Sequence, residues 1–170
     1  MRISKAFWLW GQFSSKDTEY INGIKNEVKS LLKSPIFDAH VTLAGPFSLL
    51  DKSFFYKLKA LKRNNNKIDL HLKSFNFETE FYKSFYISIK NSEELNSLRK
   101  DIYELNKFDI EKEYEPHISL AYGNHKSKDK KNMISNLAKL NFSIKMTRIS
   151  LVDVNENINR WGVLDSFNLK

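Results

Sequence analysis

Alternation of apolar and polar residues predicts most of the β-strands of this chain. In residues 67–77, for example, every second residue from Ile68 to Leu72 is apolar. The predicted strands cover residues 5–11, 67–77, 81–90, 142–154 and 160–169, with two shorter apolar runs at 38–46 and 115–123. The last two strands flank a polar turn at residues 155–157, which favours a hairpin.

Apolar residues three or four positions apart predict four helices between these strands. The helices cover residues 18–32, 51–62, 92–105 and 128–140, with Asp51 or Ser53 as the cap of the second and Asn91 or Ser92 as the cap of the third. A polar turn at residues 64–66 follows the second helix. This mixture of strands and helices predicts the α+β class.

The order strand, helix, strand, helix, strand occurs twice along the chain. His40 lies 35 residues after Lys5, and His117 lies 33 residues after Ser84, with a strand and a helix in each interval. We therefore expect a single domain over residues 1–170 with two similar lobes. Each lobe contributes one histidine-bearing strand to a shared central cleft.

The two histidine-bearing runs share a motif. The first reads Asp-Ala-His-Val-Thr-Leu-Ala-Gly-Pro from Asp38, and the second reads Glu-Pro-His-Ile-Ser-Leu-Ala-Tyr-Gly from Glu115. Residues two apart on a strand lie on the same face. His40 and Thr42 should therefore point the same way, as should His117 and Ser119.

Two matched pairs of an imidazole and a hydroxyl suit a phosphodiester substrate. Hydroxyl groups donate hydrogen bonds to phosphoryl oxygens without adding a charge. Two imidazoles on opposite sides of the phosphorus can act as general base and general acid near neutral pH. A single buried histidine is more often a structural residue, but the duplicated pattern favours catalysis by His40 and His117, with Thr42 and Ser119 binding the phosphate.

This pair of motifs resembles the signature of the 2H phosphoesterase superfamily. The run from His117 to Tyr122 is similar to the cyclic phosphodiesterase branch, and the resemblance extends from the strand with Trp10 to the late strand with Trp161. It implies two pseudo-symmetric lobes of antiparallel sheet, with helices outside and a cleft between them.

The resemblance also implies further roles for individual residues. It makes His117 the base and His40 the acid, and it places the aromatic ring of Tyr122 at the phosphate site. Tyr82 corresponds more loosely to an aromatic residue on the substrate side. A packing role for either tyrosine is the alternative.

Several substrates fit these residues. We expect hydrolysis of ADP-ribose 1″,2″-cyclic phosphate or of a nucleoside 2′,3′-cyclic phosphate to a phosphomonoester, with no metal and no cofactor required. The same residues could act on 2′-5′-linked or cyclic oligonucleotides or on RNA ends. Members that act on RNA often carry a basic residue soon after the second motif, whereas this chain has Ala-Tyr-Gly-Asn at residues 121–124, which favours small substrates.

The charge of the chain bears on its partners. The chain has 170 residues, 41% of them hydrophobic, and a net charge of +8, which favours phosphate esters and leaves RNA as a further partner. A non-catalytic RNA-binding module is the less favoured alternative. The lysine-rich run at residues 126–131 is expected to be a solvated helix start.

Cysteine is absent, so the sequence offers neither a disulfide nor a thiol nucleophile. The apolar stretch from Ala6 to Trp10 is too short for a signal peptide or a membrane span. We therefore expect a cytoplasmic monomer that does not bind membranes. His71 and His125 are expected at the surface, and the tryptophans of the first strand in the core.

Overall fold

The computed structural model describes residues 6–47, 52–61, 66–105, 107 and 113–170. These residues form seven strands, namely β1 (Ala6–Phe13), β2 (Val41–Phe47), β3 (Ile68–Phe77), β4 (Phe85–Ile89), β5 (His117–Ala121), β6 (Ser143–Val154) and β7 (Gly162–Asn168). Four helices alternate with them, namely α1 (Ser15–Lys29), α2 (Lys52–Leu61), α3 (Glu93–Leu105) and α4 (Ser127–Asn136). Short 3₁₀ turns cover Phe81–Lys83 and Ile158–Arg160.

All strand pairs are antiparallel, in the order β1, β2, β5, β4, β3, β6, β7, and β1 also pairs with β6. The first lobe contains β1, β2, β7 and the second part of β6. The second lobe contains β3, β4, β5 and the beginning of β6. The α+β class and the two-lobed antiparallel architecture are thus as the sequence predicts.

The internal repeat is visible in the element order. Val41 of β2 pairs with Ile118 of β5. The elements β1, α1, β2, α2 and β3 correspond in order to β4, α3, β5, α4 and β6. The third strand of each repeat, however, pairs with the first strand of the other repeat, since β3 lies beside β4 and β6 beside β1. Neither lobe is therefore made from one continuous half of the chain.

Helices cover the outer faces of the strands. The apolar stripes of two helices are buried, with Ile21, Ile24 and Val28 on α1, and Leu95, Leu98 and Ile102 on α3. Burying each such side chain contributes about 1.5–3 kcal/mol. Helix α1 ends at Lys29 instead of residue 32, and Leu31 beyond its end is exposed. Because α1 contacts both β1 and β5, its apolar stripe packs against strands of both lobes.

Hydroxyl groups cap two of the helices. The Ser14 hydroxyl accepts a hydrogen bond from the Asp17 amide at 3.2 Å, so α1 begins three residues before the predicted start at Thr18. The Ser92 hydroxyl accepts from the Leu95 amide at 3.2 Å, as one of the two predicted caps of α3. Ser53, the other residue predicted to cap the second helix, lies inside α2. Asp51 and most of the predicted turn at 64–66 lie outside the described residues.

Other boundaries predicted from the sequence are wrong. Strand β4 begins at Phe85 instead of residue 81, because the Lys83 amide bonds to the Glu80 carbonyl and closes a 3₁₀ turn. Helix α4 ends at Asn136 instead of residue 140. The prediction of a solvated lysine run at residues 126–131 is wrong for Lys130, which is buried and donates to the Glu78 carbonyl oxygen at 2.6 Å.

In the part of the chain that the structure describes, no helix is both long enough and apolar enough to cross a membrane.

Candidate functional site

The two motifs meet where β2 lies beside β5. Val41 and Ile118 are direct partners and are completely buried. Extending this antiparallel register by one residue places His40 opposite Ser119 and Thr42 opposite His117. Because side chains alternate along a strand, these four residues share the face that points away from the buried pair.

Both imidazoles are held by the same kind of hydrogen bond to a nearby backbone carbonyl. The Nδ1 atom of His40 bonds to the Asp38 carbonyl oxygen at 2.7 Å, and that of His117 bonds to the Glu115 carbonyl oxygen at 2.9 Å. A carbonyl oxygen can only accept, so Nδ1 carries the proton in each ring. In the neutral ring, the lone pair therefore lies on Nε2, where it is available to take a proton from a substrate or a water molecule.

His40 lies in an aromatic environment. Its ring stacks on Trp10 with 3.7 Å between the ring centroids and 8° between the planes. Only 6% of His40 is exposed, and burial lowers its pKa to about 3, with a further lowering by nearby Lys25 and His117. His40 is therefore neutral in the free protein at cellular pH.

His117 lies in a more polar environment. The edge of its ring meets Tyr86 on β4, with 5.2 Å between the ring centroids. Lys83 forms an ion pair with Glu115 at 2.8 Å, directly before the histidine motif. Burial lowers the pKa of His117, whereas the charge of Glu115 partly opposes this lowering.

The two hydroxyl residues are anchored differently. The backbone carbonyl of Thr42 accepts a hydrogen bond from the Tyr114 hydroxyl at 2.8 Å, which fixes β2 against the segment before β5. Ser119 is 6% exposed, and its hydroxyl donates a hydrogen bond to the Tyr82 carbonyl oxygen at 3.5 Å.

Tyr122 and Tyr82 lie in one aromatic cluster. Tyr122 stacks on Phe37 with 3.9 Å between the ring centroids. Tyr82 packs edge-on against Tyr122, with 5.4 Å between their centroids. The ring of Trp161 lies 5.9 Å from Tyr122 and 6.1 Å from Tyr82. Tyr122 is almost completely buried in this cluster, whereas Tyr82 is half-buried.

Sequence reasoning assigned Trp10 to the core only. The structure confirms that it is buried, but its ring is also the direct neighbour of His40. The neighbouring aromatic slot, a hollow of about 200 Å³, is lined by Trp10, Phe37, Val152, Ile158 and Trp161. Phe37 and Tyr86 were missed because the sequence does not reveal which strands are neighbours.

The remaining histidines lie apart from the motif pair. His71 is exposed on β3, as predicted. The prediction for His125 is wrong, because it is half-buried, accepts from the Ser84 hydroxyl at 2.9 Å and donates to the Lys33 carbonyl oxygen at 2.6 Å. Among the described residues, no group of three or more His, Asp or Glu side chains could hold a metal ion.

Comparison with known proteins identifies relatives by sequence pattern and by fold. The model of the 2′-5′ RNA ligase superfamily matches residues 18–157. No curated protein matches the chain in sequence.

Several solved structures share the fold. Escherichia coli LigT complexed with 3′-AMP superposes with a TM-score of 0.63 at 13% identity, covering 99% of each chain. LigT complexed with ATP gives a TM-score of 0.60 at 14% identity over 98% of each chain. The protein TT0787 of Thermus thermophilus gives 0.61 at 12% identity, covering 96% of this chain and 97% of that chain.

Proposed function

The chain belongs to the 2′-5′ RNA ligase superfamily, the 2H phosphoesterases, which supports a phosphodiesterase-type activity, and we propose that it hydrolyses a ribose cyclic phosphate to a phosphomonoester. The candidate substrates are ADP-ribose 1″,2″-cyclic phosphate and a nucleoside 2′,3′-cyclic phosphate. The nucleotides named in the LigT structures, 3′-AMP and ATP, support a small nucleotide substrate for this chain as well.

One observation carries the proposal. His40 and His117 lie one residue from the directly paired Val41 and Ile118, and each donates from Nδ1 to the carbonyl two residues before it. One such bond also occurs in a structural histidine, but two rings with the same tautomer on one face of paired strands support the proposal that both Nε2 atoms act on one substrate. Such a pair fits general acid and base catalysis.

The reaction follows from these groups. A water molecule loses a proton to one Nε2 and forms a bond from its oxygen to phosphorus. The bond from phosphorus to one ribose oxygen breaks, and this oxygen takes a proton from the other imidazolium. Thr42 and Ser119 donate hydrogen bonds to the non-bridging oxygens, so every proton transfer and every phosphate contact in this scheme is supplied by the protein.

The low pKa of His40 in the free protein restricts how this residue can act as the general acid. If His40 is the acid, as the family resemblance implies, it must gain a proton when the substrate binds, because its pKa in the free protein is about 3. The negative charge of a bound phosphate favours this protonation. His117, beside Glu115, is then the neutral base.

Phosphorus NMR tests the proposed function directly. The folded protein, incubated with each cyclic phosphate, is expected to convert the cyclic signal to that of a monoester, in the presence of a chelator as well as without it. Lack of turnover of both compounds would contradict the proposal. RNA binding that is unchanged by His40→Ala and His117→Ala would instead support a non-catalytic binding module.

A substrate with an activated leaving group separates the two histidine roles. A p-nitrophenyl phosphodiester needs no general acid, so the variant that lacks the acid should keep much more activity on this ester than on the cyclic phosphate. With the roles proposed above, His40→Ala is the tolerant variant. The opposite result would make His117 the acid.

A further inference from the structure

A polar hollow, separate from the aromatic one described above, lies beside the proposed site, and we call it the basic cleft. It has a volume of about 470 Å³ and is lined by Gln12, Asn22, Lys25, Asn26, Lys29 and Arg148, with residues 34–39 as its far wall. Pockets of this size commonly hold small organic ligands. The role proposed above for the two histidines does not use this cleft.

The basic cleft begins at the residues next to the motif pair. Lys25, in its lining, lies close enough to His40 for its charge to lower the pKa of that imidazole. Gln12 lies two residues after Trp10 on β1, a distance of about 7 Å along a strand. A ligand whose reacting phosphate lies between the two imidazoles can therefore extend into the basic cleft.

One face of α1 supplies most of the polar lining. Thr18, Asn22, Lys25, Asn26 and Lys29 follow helical spacing and all line the cleft, whereas the buried stripe of α1 lies on another face. Arg148 extends from β6 to the same hollow. No described carboxylate forms an ion pair with Lys25, Lys29 or Arg148, so their charges are available to a ligand.

Lys25 is held in place by groups that leave donors free. Its ammonium group donates to the Phe37 carbonyl oxygen and lies 3.6 Å from the centroid of the Phe37 ring. An ammonium has three donors, and two of them remain. Burial lowers the pKa of Lys25 to about 8, against the opposing effect of Asp38, so a bound anion would stabilise the charged form.

A buried amide also faces the cleft. Gln12 is only 6% exposed, and its Oε1 accepts a hydrogen bond from the buried Ser150 hydroxyl at 2.6 Å. This bond orients the amide and leaves its nitrogen, which has no described partner, as a fixed donor at the cleft. Asp38 is the single carboxylate residue in the described lining, against three cationic side chains.

We propose that the basic cleft binds a second phosphate group of the substrate, which is separated by the substrate's own covalent chain from the phosphate that reacts. The inference rests on the proposed function and favours, among its candidate substrates, those that carry at least one phosphate besides the cyclic one. ADP-ribose 1″,2″-cyclic phosphate carries a diphosphate, whereas in a nucleoside 2′,3′-cyclic phosphate the additional group is either a terminal 5′-phosphate or the internucleotide diester of a short oligonucleotide. Both present anionic oxygens to Lys25, Lys29, Arg148 and the Gln12 amide.

Three substrates test this inference. They are adenosine 2′,3′-cyclic phosphate, its 5′-phosphorylated form, and an adenosine dinucleotide with a 5′-hydroxyl and a terminal cyclic phosphate. At low salt the additional phosphate is expected to raise kcat/KM by about tenfold or more, because charge-assisted hydrogen bonds to a ligand contribute a free energy of this size. The gain should shrink as salt is added. Whichever of the last two substrates gains more identifies the kind of phosphate bound.

Variants locate the effect. The double variant Lys29→Met/Arg148→Met and the near-isosteric Gln12→Glu should remove most of the gain while leaving kcat/KM for the 5′-hydroxyl compound within a few-fold of the parent. Lys131→Met, an exposed lysine on α4 outside the cleft lining, should keep the gain. A gain that persists in both cleft variants would overturn the inference.

Equilibrium binding separates failure of the inference from failure of the proposed function. Turnover of all three substrates at equal kcat/KM would overturn the second phosphate site and leave the proposed function standing. If no substrate is hydrolysed, the proposed function is wrong. Calorimetry then compares adenosine 3′-phosphate with adenosine 3′,5′-bisphosphate, and equal affinities would also overturn the inference.

Discussion

At the scale of single residues, His40 and His117 share a local motif but differ in their surroundings. His40 is stacked on Trp10 and deeply buried, whereas His117 lies beside Tyr86 and the ion pair of Lys83 with Glu115. Both rings nevertheless donate from Nδ1 to the carbonyl two residues earlier. This hydrogen bond joins residues only two positions apart in the chain, which explains why the local sequence indicates both histidines as site residues.

Removal of either imidazole tests its role in catalysis. His40→Ala and His117→Ala each remove one proton-transfer group, so turnover of the cyclic phosphate should fall by about 10²–10⁴-fold. Phosphorus NMR measures turnover, and circular dichroism verifies that the variant is folded. His71→Ala, at an exposed histidine on β3, is the matched control and should keep full activity. Near-parental turnover in either site variant would contradict the assignment.

The lowered pKa of His40 predicts that stability depends on pH. The unfolded residue binds a proton below about pH 6.5, whereas the folded residue does so only near pH 3, so protons favour the unfolded state between these values. The contribution is present above pH 6.5 and is lost as the pH falls. From pH 7 to pH 5 it amounts to about 2 kcal/mol of the free energy of unfolding.

Urea unfolding of the parent and of His40→Gln at these two pH values isolates this contribution. The variant lacks the titrating group, so it should lose about 2 kcal/mol less than the parent on acidification. An equal loss in both proteins would show that other groups cause the pH dependence.

At the scale of elements, β1 is packed tightly between its two neighbours. A Cβ atom at Gly11 would lie 2.1 Å from Met146 Sδ on β6 and 2.8 Å from Val41 Cγ1 on β2. The absence of a side chain at Gly11 therefore lets β2 approach β1 closely, next to the point where Val41 pairs with Ile118.

Gly11→Ala should destabilise the protein, because the added methyl group must displace a buried side chain. We expect a loss of about 1–3 kcal/mol in the free energy of unfolding, measured with urea. Gly23→Ala provides the control, since nothing lies within 4 Å of its Cβ position on α1 and alanine favours a helix. If Gly11→Ala is as stable as Gly23→Ala, the packing described for β1 is wrong.

At the scale of the whole molecule, the exchanged strands connect the two lobes. Strand β3 comes from the first half of the chain but pairs with β4, and β6 comes from the second half but pairs with β1. Unfolding one lobe therefore removes a strand from the other, and we expect the lobes to unfold together.

Two probes of one unfolding experiment test this cooperativity. The three tryptophans, Trp8, Trp10 and Trp161, all lie in or next to strands of the first lobe, so their fluorescence reports that lobe, whereas far-ultraviolet circular dichroism reports both. The two transitions in urea should coincide. Separate midpoints would mean that the lobes unfold independently and that the expectation of a single domain over residues 1–170 is wrong.

The order of the main elements, the apolar stripes of α1 and α3, the two lobes and the duplicated motif can all be predicted from the amino-acid sequence. The elements and their stripes depend on periodicity over a few neighbouring residues, and the lobes and the motif depend on a repeat that can be read along the chain. The exchange of β3 and β6, the pairing of Val41 with Ile118 and the stacking of Trp10 on His40 are visible only in the folded protein. The tertiary structure also brought Gln12, α1 and Arg148 around one cleft, because strand register and contacts between distant residues arise only when the core packs.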